Sequence, residues 1–363
     1  MSELYIGVMS GTSLDGVDAV LAIAHGRQLR LVECVHTAFP APLRLRLLAL
    51  QQSAGDELHR SALLANEISD IYAVAVRRLL ARAGVAARAI AAIGCHGQTV
   101  RHRPREGYTL QLVNGARLAE RCGITVVCDF RSRDIAAGGE GAPLVPAFHQ
   151  AMFRHPRRNR ALINVGGIAN VTCLPATGRV TGFDCGPGNC LLDAWIRTSR
   201  RMPYDADGAW AASGRVVPRL LTRLLAHPFL RRRPPKSTGH EEFNLPWLRH
   251  MLSGNERAAD VQATLLELAA LPIARAVRRR CGSAREVFVC GGGARNRALL
   301  ARLAELLPGK RVVTTAALGI DPQHVEALAF AWLARQALRN RPGNLPAVTG
   351  ARGPRVLGAI YPR

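Results

Sequence analysis

Short apolar runs alternate with amphipathic stretches through the first part of the chain. Residues 4–9, 17–23, 30–37, 90–93 and 124–127 have the length and composition of buried strands. Leu64, Ile68, Ile71, Ala75 and Leu79 have helical spacing, so they predict a helix over 57–83, with Gly84 as its C-cap. Residues 43–52 also have helical character. Strands that alternate with helices predict an α/β layer.

The second part of the chain repeats the opening pattern. It begins with a strand at 160–163 and a glycine turn. Strands at 171–174 and 180–183 and a helix from Asn189 follow. Further helices are predicted at 216–226, 259–280 (interrupted at Pro272), 295–307 and 324–337. The chain of 363 residues is too long for one ordinary core. We therefore expect two α/β lobes, 1–140 and 141–363, each a mixed sheet flanked by helices, with a C-terminal segment able to pack back on the first.

Composition restricts the partners of the chain. The net charge is +23, but the cations are scattered arginines, with Lys236 and Lys310 as the lysines, and aromatic residues make up 5%. Bases therefore have few stacking platforms, and we expect no nucleic-acid partner. No apolar run approaches the length that a membrane helix needs, so we also expect no membrane partner.

The chain has nine cysteines, and no Cys-x-x-Cys spacing occurs among them. Several lie inside apolar strand patterns, where cysteine acts as a small hydrophobic residue. This usage predicts a reduced, cytoplasmic protein without a cysteine metal site.

A turn rich in glycine and hydroxyl groups follows the first strand. Its residues are Gly11, Thr12, Ser13, Leu14, Asp15, Gly16, Val17 and Asp18. Glycine lets backbone N–H groups approach an anion closely, so the turn is a candidate phosphate site of a nucleotide. Asp15, and Asp18 with it, would hold Mg²⁺ directly or through water. A bulged hairpin without a ligand is the alternative.

Two later turns share this character. One contains Asn164, Gly166, Gly167 and Asn170 between two strands, and the other contains Gly291, Gly292, Gly293 and Asn296 before a helix. The first could bind phosphates together with the 11–18 turn, and the second could bind the nucleoside.

Asp184 is the candidate catalytic base. It lies at the end of a strand, and Gly186, Pro187 and Gly188 turn the chain into the next helix. An ionised carboxylate beside a helix N-terminus can accept a proton during phosphoryl transfer. The alternative is an aspartate that only caps the helix.

Polar residues at other strand ends and loops add candidates. Arg131 follows a strand and could bind a substrate carboxylate. A loop histidine such as His96 is more often structural than catalytic. Lys236 stands in a proline-rich loop. It either lies on the surface, or contacts a nucleotide or takes part in closure of the cleft.

The chain resembles the anhydro-N-acetylmuramic acid kinases. The similarity lies in motifs that run in the family's order through residues 7–18, 95–102, 129–131, 141–146, 164–170, 183–189, 234–239, 290–296 and 326–331. The resemblance implies the two-lobed ATPase fold of actin and the hexokinase-like sugar kinases, with the active site in the interlobe cleft. A homodimer is left open.

The resemblance also implies an activity and its residues. ATP would phosphorylate O6 of the anhydro amino sugar while water opens the anhydro bridge, giving N-acetylmuramic acid 6-phosphate in cell-wall recycling. His96, Gln98, Arg131 and Glu326 would lie near the sugar, with Glu326 either facing it or stabilising a hinge.

Two departures from the family pattern concern the substrate side. Asn114-Gly115 replaces an Asp-Pro turn after the strand at 109–112, and Glu140 replaces a glutamine. Two rival hypotheses remain at this point. One is a kinase of the same fold for another sugar or carboxylate, and the other is a nucleotide-driven binding protein.

Overall fold

The computed structural model describes residues 3–11, 14–26, 28–51, 55–239 and 241–363. The strands found in these ranges are β1 (Glu3–Met9), β2 (Gly16–His25), β3 (Gln28–Ala38), β4 (Ile90–Cys95), β5 (Gln98–Arg103), β6 (Tyr108–Leu112), β7 (Val126–Cys128), β8 (Arg160–Val165), β9 (Ile168–Leu174), β10 (Thr181–Pro187), β11 (Glu286–Cys290), β12 (Arg311–Thr314) and β13 (Ala359–Tyr361).

The α-helices found in the same ranges are α1 (Ala41–Leu50), α2 (Glu57–Ala83), α3 (Gly115–Cys122), α4 (Ser132–Ala136), α5 (Val145–Phe153), α6 (Cys190–Arg200), α7 (Ala209–Ala212), α8 (Pro218–Leu225), α9 (Pro228–Arg231), α10 (Leu245–Met251), α11 (Ala258–Arg280), α12 (Arg297–Leu306), α13 (Val325–Leu338) and α14 (Pro346–Thr349). The predicted strand and helix order is confirmed, including Gly84 as the left-handed C-cap of α2.

The chain forms two compact units. The first contains residues 1–152 and 324–363, and the second contains 153–323. The division falls at the end of α5 and not at 140/141, because α5 packs within the first unit, where Phe148 meets Trp332 of α13. The tail from His324 onwards belongs to the first unit as well.

The two units share one sheet topology. In the second unit the strand order is β10-β9-β8-β11-β12, and in the first it is β3-β2-β1-β4-β7, with β13 added at the edge. In both units three consecutive strands form antiparallel pairs, β1–β2–β3 in the first and β8–β9–β10 in the second. The two remaining strands, β4 and β7 or β11 and β12, run parallel to β1 or β8. Helices pack on both sheets, for example α13 on β1 and α11 on β9. This confirms the expected fold of two α/β units.

Paired glycines allow α13 to lie unusually close to the first sheet. Gly7 of β1 is the register partner of Gly94 of β4. A side chain at Gly7 would collide with the backbone carbonyl of Ala327, and one at Gly94 with that of Phe330. Helix α13 therefore rests on the strands that carry the first unit's loops.

The second unit corrects two sequence expectations. Cys173 of β9 and Cys281 after α11 form a disulfide, with Cα atoms 5.3 Å apart, so the expectation of reduced cysteines is wrong for this pair. Both lie in the buried core of the unit, but 108 residues separate them along the chain. Helix α11 is also continuous through Pro272. A proline removes only one backbone hydrogen bond, and the buried residues on either side hold the helix in place.

Candidate active site

A row of polar side chains crosses the second sheet. Asn170 of β9 pairs in register with Asn164 of β8 on one side and with Asp184 of β10 on the other. Cys290 of β11 continues the row beside Asn164, and its Sγ donates a hydrogen bond to Asn164 Oδ1 at 3.6 Å. Directly paired residues project from the same face of a sheet. Residues from strands that are distant in sequence thus share one polar stripe.

Alternation along each strand explains why the row is polar. Ile163 and Val165 flank Asn164, and Phe183 and Cys185 flank Asp184; these neighbours belong to the apolar core of the unit. Successive residues of a strand point to opposite faces, so the polar residues point away from that core. The pattern is visible in the sequence once the strands are known.

Asp184 is held in place by the segment that follows α9. The Thr238 N–H donates to Asp184 Oδ2 at 3.1 Å, and the Asp184 N–H donates to the carbonyl of Lys236 at 3.3 Å. The carboxylate is buried, and the strand register shifts by a bulge directly after it. Bulges commonly re-aim a side chain beside a functional site. The N-cap of α6 is Asn189, so Asp184 does not cap that helix.

Lys236 is buried beside this carboxylate and not on the surface. Its Nζ donates to the Phe229 carbonyl at 3.1 Å and lies 4.3 Å from the centre of the Phe229 ring. Burial lowers the pKa of Lys236, and the nearby Asp184 carboxylate opposes that shift. The surface alternative is therefore excluded.

The second glycine turn is bonded to the turn that follows Asp184. The N–H groups of Gly188 and Asn189 donate to the carbonyls of Gly167 and Gly166, both at 2.9 Å. A side chain at Gly188 would lie 2.5 Å from the Gly166 oxygen. The predicted phosphate turn and the predicted base therefore belong to one rigid assembly.

The third turn packs against the same strand end. A side chain at Gly291, which has φ +78°, would lie 2.5 Å from Asn164 Oδ1, and one at Gly293 would collide with Val165. Gly292 between them is exposed. Asn296 has a structural task, because its Oδ1 accepts the Leu299 N–H at 2.9 Å and so caps α12.

Part of the first glycine turn lies outside the described residues, namely Thr12 and Ser13. Among its described members, Leu14 and Val17 are buried in the core of the first unit, so only their backbone could reach a ligand. The carbonyl of Gly11 accepts a hydrogen bond from Gln98 Nε2 at 3.2 Å. The Gln98 Oε1 is buried without a hydrogen-bond partner among the described residues. Gln98 thus links this turn to the loop of His96.

The two aspartates of this turn differ. Asp18 of β2 accepts from His36 Nδ1 at 2.8 Å across the β2–β3 pair, while Asp15 is exposed and Gly16 packs against His36. The described ranges contain no cluster of three metal-ligating side chains. A magnesium ion needs few protein ligands when phosphates and water supply the others, so Asp15 fits a nucleotide-borne ion.

Arg131 and His96 form one pair in the first unit. The guanidinium donates to His96 Nε2 from Nε at 3.2 Å and from Nη2 at 2.9 Å, and Nη1 donates to the Gly141 carbonyl at 2.8 Å. Burial, and next the Arg131 charge, lower the pKa of His96 to about 3. His96 is therefore a neutral acceptor that orients Arg131.

Helix α13 supports this pair from below. The Phe330 ring lies 4.8 Å from the His96 ring and 5.6 Å from the Phe130 ring. Glu326 lies half-buried in the first turn of the same helix. Sequence reasoning anticipated the helix, but not its contact with His96.

The comparisons with known proteins agree with these motifs. The family model described as anhydro-N-acetylmuramic acid kinase matches residues 3–363. The chain belongs to the anhydro-N-acetylmuramic acid kinase family. Curated relatives of that name include those of Nitrosomonas europaea, 55% identical over 99% of both chains, and Thiobacillus denitrificans, 56% identical over 99% of this chain and 98% of the relative.

Solved structures resemble the chain much less than these family members do. The activator of 2-hydroxyisocaproyl-CoA dehydratase from Clostridium difficile is 14% identical, with a TM-score of 0.48 over 93% of this chain and 96% of that one. A ROK family glucokinase from Streptomyces griseus is 14% identical, with a TM-score of 0.43 over 92% and 99%. Scores at this level support no conclusion about function.

The departure from the family pattern at Asn114 has a structural explanation. Its Oδ1 accepts the Arg117 N–H at 3.0 Å and caps α3, and its Nδ2 donates to Asn66 Oδ1 at 2.8 Å. Aspartate and asparagine serve about equally well as N-caps, so asparagine at this position supplies the cap that α3 needs. Glu140, the other departure, donates its N–H to the Thr349 carbonyl at 2.7 Å.

The structure also identifies residues that sequence reasoning missed. Thr238 and Gly141 bond directly to the candidate residues Asp184 and Arg131. Asp134 is fully buried and bonded to the Gly141 N–H. Local patterns did not reveal these contacts. No helix in the described part of the chain is long and apolar enough to cross a membrane.

Proposed function

We propose that the protein is an ATP-dependent kinase that converts 1,6-anhydro-N-acetylmuramic acid and water into N-acetylmuramic acid 6-phosphate and ADP. Membership of the family over residues 3–363 carries this proposal. The geometry supports it, because a buried, oriented carboxylate is bonded through its strand to a glycine turn suited to phosphate. The reaction would belong to cell-wall recycling in the cytoplasm.

Asp184 would act as the general base. A water oxygen attacks C1 of the sugar and passes its proton to Asp184. The C1–O6 electron pair stays on O6, which attacks the γ-phosphorus, and the β,γ-bridging oxygen leaves with ADP. One base suffices, because O6 leaves C1 as an unprotonated oxygen. It can therefore attack the phosphorus without a second base to remove a proton. The hydrogen bond from Thr238 fixes the carboxylate for this step.

The second unit would also bind the nucleotide. Gly166 and Gly167 offer backbone N–H groups to phosphate, and Asn164 and Asn170 line the same end of the sheet. Gly291, Gly292 and Gly293 would border the adenosine, with Asn296 fixing the start of α12 below them. The Oδ1 of Asn170 is buried without a hydrogen-bond partner among the described residues, as expected for a group that meets a ligand.

The first unit would bind the sugar. Arg131 is the ligand for the lactyl carboxylate, since a guanidinium can bind a carboxylate through two hydrogen bonds. His96 would orient it, and Gln98 and Glu326 would lie near the sugar ring. Gly11, Gly16 and Asp15 would approach the phosphates, and Mg²⁺ held by Asp15 and the phosphates would neutralise charge on them.

An ADP-release assay tests the proposal. We expect turnover with the anhydro sugar, and none with glucose or N-acetylglucosamine. A product of the mass of N-acetylmuramic acid 6-phosphate should appear in equal amount with ADP. ADP release without a phosphorylated sugar would instead favour a nucleotide-driven binding protein, and turnover of another sugar would favour a different kinase.

A further inference from the structure

We propose that Asp134 and the C-terminal residues 344–352 position Arg131 for the substrate carboxylate. This inference rests on the proposed role of Arg131. It assigns a function to two parts of the chain, a buried aspartate and the tail, that lie outside the candidate site.

Asp134 is a carboxylate with no solvent exposure and three bonded donors. The Gly141 N–H donates to Oδ2 at 2.8 Å, and Asn344 Nδ2 and Thr349 Oγ1 donate to Oδ1 at 2.6 and 2.8 Å. A buried carboxylate is costly unless such donors compensate it. This arrangement therefore fixes its partners with respect to one another.

The C-terminal residues 344–352 are also hydrogen-bonded to the glycine-containing loop 136–141 at further points. The Thr349 carbonyl accepts the Glu140 N–H at 2.7 Å, and the Arg352 N–H donates to the Ala137 carbonyl at 2.9 Å. Arg352 Nη2 also donates to the Ala136 carbonyl at 3.2 Å. Side-chain and backbone bonds together tie residues 136–141 to the end of the chain.

Gly139 and Gly141 make this loop dependent on Asp134. A side chain at Gly139 would collide with the Asp134 carboxylate, so the loop approaches it as closely as a glycine permits. Gly141 has φ +66°, a conformation that favours glycine. Both positions fit the loop to the carboxylate.

Gly141 connects this support to the candidate sugar ligand. Its N–H is bonded to Asp134, and its carbonyl accepts from Arg131 Nη1 at 2.8 Å. The guanidinium is thus held on one side by Gly141 and on the other by His96 Nε2. Movement of Gly141 would release one of these two restraints, so Asp134 and Thr349 act on the substrate through Arg131.

The test compares Thr349→Val with Thr349→Ser. Valine keeps the shape and removes the hydroxyl, and serine keeps the hydroxyl. We expect Thr349→Val to raise the KM for the anhydro sugar about five- to tenfold, the scale of one lost hydrogen bond, with the KM for ATP unchanged. Thr349→Ser should restore the KM of the unmodified protein. Equal effects on both KM values, or no effect, would overturn the proposal.

A double variant separates this inference from the proposed function. If Thr349 acts through Arg131, then Thr349→Val should add nothing to the sugar KM of Arg131→Ala. Independent, additive effects would overturn the positioning role. If Arg131→Ala alone leaves the sugar KM unchanged, the proposed carboxylate site itself fails. Asp134→Asn is measured in the same way, with both KM values. Thermal unfolding of each variant checks that loss of folding is not the cause of a raised KM.

Discussion

The Arg131 guanidinium donates two hydrogen bonds to Nε2 of His96, at 3.2 and 2.9 Å. This nitrogen must therefore carry a lone pair and no proton. A protonated His96 would place two cations in contact inside the protein. The pair shows how a buried, neutral histidine can fix the position of an arginine side chain.

Buried neutral histidines predict a loss of stability in mild acid. Burial lowers the pKa of His96 and of His149 from 6.5 to about 3, and that of His102 to about 4. Below pH 6.5 the unfolded chain binds protons that the folded chain does not, so the free energy of unfolding falls as pH falls. Each histidine contributes up to about 1.4 kcal/mol per pH unit in this window.

Urea unfolding at pH 7.5, 6.5 and 5.5 measures this slope. The carboxylates with lowered pKa titrate below this window, so the histidines dominate it. His96→Gln should reduce the slope of the unfolding free energy against pH by an amount that corresponds to about one proton bound on unfolding. A free energy of unfolding that stays constant down to pH 5.5 would contradict the prediction.

Arg131→Ala should raise the KM for the anhydro sugar far more than the KM for ATP. Loss of a charged pair with the lactyl carboxylate costs about 1.5–3 kcal/mol. The matched control is the exposed Arg133→Ala, two positions along α4. Steady-state kinetics with a second sugar, 1,6-anhydro-N-acetylglucosamine, which lacks the lactyl group, sharpen the result. If Arg131→Ala raises the KM for both sugars equally, Arg131 does not bind the carboxylate.

Asp184→Asn should abolish turnover while ATP still binds. Loss of a general base costs about 10²–10⁴ in rate, and asparagine can still accept the Thr238 hydrogen bond. Asp207→Asn, at an exposed aspartate paired with Arg297, is the control. Calorimetry should give the same ATP affinity for all three proteins. A kcat near that of the unmodified protein would reduce Asp184 to a structural residue.

Gly94→Ala should destabilise the first unit by about 1–3 kcal/mol, the cost of overpacking. The added methyl group would meet the Phe330 carbonyl, and Phe330 supports His96. Gly55→Ala is the control, because a side chain there meets open space. Thermal unfolding should separate the two variants by several degrees. Equal melting temperatures would show that α13 can move away from the sheet without cost.

The local pattern along the chain was sufficient to predict most elements. Helix α2 and its cap Gly84, the three strands before it and the repeated strand–turn–strand of the second unit follow from apolar spacing and glycine position. These features depend on residues only a few positions apart in the chain, so they can be predicted from the sequence alone. The ribbon β5–β6 was less visible, since its polar strands lack a regular apolar alternation.

The sequence by itself determined the elements, the glycine turns and the candidate base Asp184. Only the tertiary structure decided which distant residues meet them: Thr238 at Asp184, Asn344 and Thr349 at Asp134, and Cys173 at Cys281. Periodicity specifies which face of an element a residue occupies, but not which other element covers that face. That choice depends on packing and on compensation of buried polar groups across the whole unit, which no local window of sequence contains.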